Sequence, residues 1–314
     1  MDPAVLDLNT LDQVRLNFNT TGLAIVNGAI GLMMLGVSLE LTFDDFKRIA
    51  KKPKAPVIGL VAQFLFLPAF TFLLVMILKP HPSIALGMML VAACPGGNLS
   101  NIITHLSQGN SAVSISMTAV SSVAAIFMTP LNISFWGQMN PDTAPILQQV
   151  HLSPVDVFLT VFIILGIPLI LGMTIRRYFP RITQKVRRPF KIFSLVFFMV
   201  IVCGALAANW QIFLSYVGLV MLAVMLHNLL ALNIGYWSGR IMGLAEKDCR
   251  AVCVEVGIQN SALGLILVFN FFDGLGGMAI LVAWWGIWHI ISGLMTAFYF
   301  SRIKKNKNDK VQCT

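Results

Sequence analysis

The chain holds 314 residues, 57% of them hydrophobic and only 11% charged, with a formal net charge of +9. A soluble domain carries roughly 25% charged residues, so a water-covered globular surface is excluded. A nucleic-acid surface is excluded too, because Lys and Arg sit in short clusters between apolar runs, where such clusters set membrane topology.

In chain order, Met1 to Thr21 is polar and partly acidic. It lacks the basic start and apolar core of a signal peptide, and Asn19-Thr20-Thr21 fits a glycosylation sequon. Nine apolar runs follow, at about 23–43, 55–78, 83–106, 110–133, 154–175, 190–209, 212–236, 249–271 and 276–300. A bilayer core needs about 20 apolar residues per helix. The expectation is an all-α integral membrane protein of nine transmembrane helices, forming one polytopic membrane domain over 1–314. Of the 22 Lys and Arg, only Arg15 and Lys79 fall outside one alternating set of loops. That set holds Lys47–Lys54, Arg176–Lys191, Arg240–Arg250 and Arg302–Lys310. The positive-inside rule puts these loops and the C-terminus in the cytoplasm and the N-terminus outside.

The third run is interrupted by Cys94-Pro95-Gly96-Gly97-Asn98-Leu99-Ser100-Asn101, and the eighth by Glu255-Val256-Gly257-Ile258-Gln259-Asn260-Ser261. The longest outside loop, about 134–153, separates four spans from five, and the two interrupted spans run in opposite directions. Inverted repeats with paired broken helices mark many secondary transporters, with the binding site at the breaks. Gly and Pro also occur in ordinary kinked membrane helices. Two matched breaks, both with Asn and Ser, favour the transporter.

Glu255 is the one carboxylate deep in an apolar run, since Glu40 and Asp156 lie near span ends. No Lys or Arg is placed inside a span to pair with it, so a dissolved cation is its natural partner. Ser114 and Thr118, four apart, share a helix face. With Ser100, Asn101 and Glu255 they form an oxygen cage. Hard oxygens suit a hard cation, and a single carboxylate favours a monovalent one. Sodium is the expected ion, because a proton would need the carboxylate alone. The five cysteines, Cys94, Cys203, Cys249, Cys253 and Cys313, give no disulfide framework. Cys249 and Cys253 read as packing residues rather than a metal pair.

These motifs resemble the bile acid:sodium symporter family over about Leu23 to Phe300. The crossover segments Pro95–Asn101 and Glu255–Ser261 carry the resemblance, with Ala62-Gln63-Phe64, His227-Asn228 and Trp288-His289. It implies two sodium sites. The first would use Ser100, Asn101, Ser114, Thr118 and Glu255; the second Gln63, Glu255, Gln259 and the carbonyls of Val256 and Ile258. It implies substrate contacts at Asn98, Asn260, His289 and Ile290. It further implies a core of about 55–133 and 212–300 moving against a panel of about 23–43 and 154–209. Many bacterial members have ten spans, and this chain resembles the nine-span vertebrate carriers. Asn98 is shared with those carriers where several bacterial relatives have Thr, and Ile290 stands where those relatives have Asn. Bile acids, pantoate-like acids and 2-oxo acids all remain open as substrates.

The expected function is uptake of an organic anion with sodium by alternating access, in a plasma membrane such as a bacterial inner membrane. The alternative is a proton-coupled or uncoupled exporter of the same architecture. The expected partners are the anion, sodium and the lipid bilayer, with no nucleic acid and no obligatory protein. Enzymatic activity is not expected: His289 and Ser292 are the only tempting hydrolytic couple, and no second buried carboxylate accompanies them.

Overall fold

The computed structural model describes positions 28, 31, 32, 35, 36, 38, 39, 41–97, 99–150, 153–187, 189, 190, 192, 193, 196, 200 and 210–311. The expected spans at about 23–43 and 190–209 lie largely outside these residues, as do the Asn19 sequon, Asn98 and Glu40.

The described residues are nearly all helical. A short helix α1 (Phe43–Lys51) leads into α2, built of Lys54–Val61, a π-helical turn Ala62–Phe66 and Leu67–Leu78. Next come α3 (Pro82–Ala93), α4 (Leu99–Leu106), α5 (Ser111–Met139) and α6 (Ala144–Gln149). Helix α7 comprises Pro154–Val161, a π-helical turn Phe162–Gly166 and Ile167–Tyr178. The chain continues through α8 (Trp210–Ile241), α9 (Glu246–Gly257), α10 (Ser261–Phe271) and α11 (Gly276–Val311). Five of these helices, α2, α5, α7, α8 and α11, are long and apolar enough to cross a bilayer.

The π-helical turn in α2 has a chemical cause. Pro68 has no N–H to offer Phe64, the residue four before it, and its ring crowds that carbonyl. The helix widens, and the Phe64 carbonyl accepts a hydrogen bond from Asn132 Nδ2 at 3.0 Å. The widening carries Gln63 with it. Pro168 follows the π-helical turn of α7 in the same position.

Two short helices, α3 and α10, are buried almost all round, with every residue of α3 after Pro82 buried. A helix that is apolar on all faces belongs in an interior, and here α11 packs on both. Trp285 of α11 is fully buried in the core cluster that also holds Met88, Leu86, Leu263 and Ile266, its ring centroid 4.5 Å from that of His227. The longer helices do the reverse and turn Phe127, Leu131, Phe135 and Ile163 outward, which suits lipid rather than water.

Three expected boundaries move most, the ninth run continuing as helix from 300 to Val311. The fourth span continues to Met139 despite Pro130, so much of the expected 134–153 loop is helical, and α6 tucks Leu147 against Gly137. The seventh extends to Ile241. The third and eighth spans are each split in two, as their motifs predict.

Candidate site at the helix crossing

The two interruptions meet. Gly96 and Gln259 form an antiparallel β-bridge, the lone such pair among the described residues. Gly97 N–H donates to the Ile258 carbonyl at 2.6 Å, and Asn260 N–H donates to the Pro95 carbonyl at 2.9 Å. Unwound backbone in a membrane must find partners inside the protein, and the surrounding side chains supply the rest. Thr129 Oγ1 donates to the Ala93 carbonyl at 2.7 Å, Gln63 Nε2 to Cys94 at 2.8 Å, and Asn228 Nδ2 to Gly257 at 2.8 Å.

Glu255 lies in the last turn of α9, 1% exposed. Ser100 Oγ donates to its Oε2 at 2.6 Å and Thr118 Oγ1 to its Oε1 at 2.8 Å. Ser114 Oγ lies 3.3 Å from Oε2 and donates at 2.8 Å to Asn101 Oδ1. Thus Ser100, Asn101, Ser114, Thr118 and Glu255, from three helices, form one buried oxygen cluster. Gly96 makes room for it: a Cβ there would stand 2.5 Å from Glu255 Oε1.

A second cluster adjoins it. Gln63 Nε2 donates to Gln259 Oε1 at 2.9 Å, and Gln259 Nε2 donates to Gln63 Oε1 at 3.2 Å and to the Val256 carbonyl at 2.6 Å. Gln63, Gln259 and the Val256 carbonyl are therefore within hydrogen-bond reach of one another. The Ile258 carbonyl is close by but engaged by Gly97, and both Glu255 oxygens are engaged by hydroxyls of the first cluster.

The electrostatics favour cations at one end of each break and anions at the other. Helices α3 and α9 end at the crossing, so their C-terminal partial negative charges add to Glu255. Helices α4 and α10 begin there and present partial positive N-termini. Asn260 Oδ1 caps α10, accepting from Leu263 N–H at 3.1 Å. His289 is buried on α11 with no partner at Nδ1, and Ile290 beside it is half-buried. Ser292 Oγ donates to the His289 backbone carbonyl at 3.3 Å, so the couple that hinted at hydrolysis is an ordinary helix bond. Among the described residues no cluster of three or more His, Cys, Asp or Glu could hold a transition metal.

One correction concerns Arg250. Counted by sequence among loop cations, it is 5% exposed within α9. Its guanidinium donates to the Ser107 carbonyl at 3.1 Å, the Phe300 carbonyl at 3.2 Å and Glu246 at 3.0 Å, and lies over the Phe300 ring. Asn110 reinforces this end of the site, with its N–H on the Lys247 carbonyl and its side chain on Asp248 at 2.7 Å. The outer ends of α4, α9 and α11 are thus clamped by one residue. Arg250→Ala is expected to lower stability by about 3 kcal/mol, the scale of two charge-assisted hydrogen bonds. Arg250→Lys recovers less than half, because a point charge cannot span both carbonyls. Thermal unfolding of the purified variants measures both.

Sequence reasoning missed Thr129 and Asn132, placed Arg250 in a loop rather than in this clamp, and cited Asn228 only as a motif match. For Asn132 a signal existed, since Pro68 announces an orphaned carbonyl that some buried amide must meet.

Comparison with known proteins identifies the class. Residues 28–216 match the model of the Sodium Bile acid symporter family. The chain is 31% identical over 278 residues to the uncharacterized sodium-dependent transporter YocS of Bacillus subtilis, covering 88% of this chain and 83% of that protein. It is 30% identical over 271 residues to the probable chloroplastic sodium/metabolite cotransporter BASS2 of rice, covering 81% of this chain and 62% of that one. It is 31% identical over 266 residues to BASS1 of Arabidopsis thaliana, covering 84% and 62%. The alignments thus span less than two thirds of these two plant proteins. The chain belongs to the sodium bile acid symporter family, a class of multi-pass membrane proteins that couple transport to sodium.

Proposed function

We propose that this protein imports an organic anion together with sodium by alternating access. The observation that carries the reading is the buried Glu255 carboxyl, ringed by Ser100, Ser114 and Thr118 where two unwound segments cross. The donor set is hard oxygen with one carboxylate, which fits a monovalent hard cation. Ser100, Asn101, Ser114, Thr118 and Glu255 form the first sodium site. Gln63, Gln259 and the carbonyls of Val256 and Ile258 form the second, with Glu255 shared between them.

Charge balance at Glu255 favours the crossing in its ordered form. The ordered form aims the N-termini of α4 and α10 at the cavity, where the anion meets Asn98, Asn260, His289 and Ile290. Coupling follows if the filled sodium sites stabilise that arrangement over the alternative. Residues of about 55–133 and 212–300 act as the core and those of about 23–43 and 154–209 as the panel, in nine spans. The basic loops face the cytoplasm of a plasma membrane, with the N-terminus outside. The substrate is a bile acid or a smaller carboxylate of the pantoate or 2-oxo acid type.

Uptake into proteoliposomes tests the proposal. A panel of these anions is expected to accumulate under an inward sodium gradient and not under an equal potassium gradient. Two sodium ions with one monovalent anion carry net positive charge, so an inside-negative potential adds about 2.3 kcal/mol per 100 mV. Accumulation equal in potassium would overturn sodium coupling and favour the uncoupled or proton-coupled alternative.

A further inference from the structure

Helix α8 presents an exposed ridge of Leu229, Asn233, Trp237 and Ile241, and a groove lies on each side of it. The first, about 670 Å³, runs between α8, α9 and α11 past Leu229, Leu232, Tyr236, Cys253, Thr296 and Ile303. The second, about 720 Å³, runs between α8 and α2 past Val57, Val61, Phe66, Phe70, Ile241 and Met242. Asn233 and Trp237 line both.

The grooves differ in chemistry at their mouths. The first opens among Arg240, Lys247 and Arg250, with Glu246 the single carboxylate in its wall. Glu246 is already held by Arg250 at 3.0 Å and by the Tyr236 hydroxyl at 3.1 Å, and lies 3.9 Å from Arg240. The wall therefore keeps an excess of positive charge. Lys54 is a further cation at this end of α8, its Nζ 3.9 Å from where a Cβ on Gly243 would stand, in the turn that joins α8 to α9. The second groove is apolar almost throughout. From Leu229 to Arg240 a helix rises about 16 Å, half of a hydrocarbon core about 30 Å thick. Each groove is one leaflet deep.

None of the described residues that line either groove belongs to the two crossing segments, so the grooves are separate from the ion clusters described above. A soluble phosphate would use the mouth and leave the apolar depth uncovered. A neutral lipid would use the depth and leave the cations without a partner. A two-chain anion uses all of it, and basic pockets between membrane helices attract anionic head groups. Aromatic rings at the polar boundary, here Tyr236, Trp237 and Tyr299, suit the head-group level.

We propose that one anionic phospholipid of the leaflet facing the basic loops straddles α8, with its phosphate at Arg240 and Lys247 and an acyl chain in each groove. The orientation proposed above only names that leaflet as cytoplasmic; the lipid site does not depend on it or on sodium coupling. The lipid staples α2 and α9 to α8 and so holds the far ends of the helices that bear Gln63 and Glu255.

The purified protein in a neutral detergent is titrated with phosphatidylglycerol, phosphatidylcholine and glycerol 3-phosphate while thermal unfolding is followed. Phosphatidylglycerol is expected to raise the Tm by several degrees, with or without sodium, and the other two to leave it unchanged. The double variant Arg240→Gln/Lys247→Gln, altered at exposed positions, is expected to keep the lipid-free Tm and lose the rise. In a second experiment, phosphatidylglycerol brominated along its chains is expected to quench tryptophan emission, and Trp237→Phe to remove that quenching component. Equal stabilisation by both lipids, a rise with glycerol 3-phosphate, a rise that survives in the double variant, or quenching unchanged in Trp237→Phe would each overturn the site.

Discussion

Glu255→Gln is expected to abolish sodium-dependent uptake, by a factor of a thousand or more in sodium affinity, while leaving the protein folded. The carboxyl group is the only acidic component of the first cluster, and it sits where two helices also end. A unit charge about 3 Å from a monovalent cation contributes about 5 kcal/mol at an effective dielectric constant near 20. That is more than a thousandfold in binding. The amide has nearly the same shape, its oxygen accepts from Ser100, and its NH₂ group reaches the Thr118 hydroxyl oxygen. Unfolding temperature and expression should therefore stay close to wild type. Uptake at wild-type rate with an unchanged half-saturating sodium concentration would leave the proposed ion site without support.

Gly97→Ala should be nearly as damaging through a different route. A Cβ at this position would stand 2.8 Å from the Gln259 carbonyl oxygen and 3.2 Å from its carbon. Both are backbone atoms in the opposing segment, so no side-chain rotation relieves the contact. The crossing must separate, which breaks the 2.6 Å bond from Gly97 to Ile258 and shifts Gln259 away from Gln63. Overpacking of this sort costs about 1–3 kcal/mol. Because it falls on the site itself, uptake is expected to drop at least tenfold, with a lower Tm. Gly218→Ala is the matched control, since nothing lies within 4 Å of a Cβ there. Equal behaviour of the two variants in uptake and unfolding would show that the crossing is not closely packed.

What the sequence made legible follows from where the governing interactions lie along the chain. The apolar runs and the Pro95-Gly96-Gly97 break depend on neighbours in sequence, so local composition reveals them. Glu255 stood out because burying one acid in a charge-poor chain is costly. Its gathering with Ser100, Ser114 and Thr118 joins residues more than 130 positions apart. Chemistry and the family motifs suggested those partners, whereas local composition alone could not.

Arg250 shows the opposite failure. An arginine near the end of an apolar run looks the same in sequence whether it snorkels to water or turns inward onto free carbonyls. Only the positions of Ser107 and Phe300 decide between these fates. The π-helical turn at Ala62–Phe66 lay between these extremes. Pro68 signalled a disturbed bond, but Asn132, which repairs it, sits 68 residues from Phe64.

The exchange of backbone bonds between the two unwound segments also bears on how the chain is made. Gly97 is synthesised about 160 residues before Ile258, its hydrogen-bond acceptor. At about 5–20 residues per second, the first interruption waits roughly ten to thirty seconds for its complement. During that interval its peptide groups need water, lipid head groups or an insertion chaperone as stand-ins. Until Ile258 arrives, the segment that holds Gly97 is therefore made without the backbone partner it has in the folded protein.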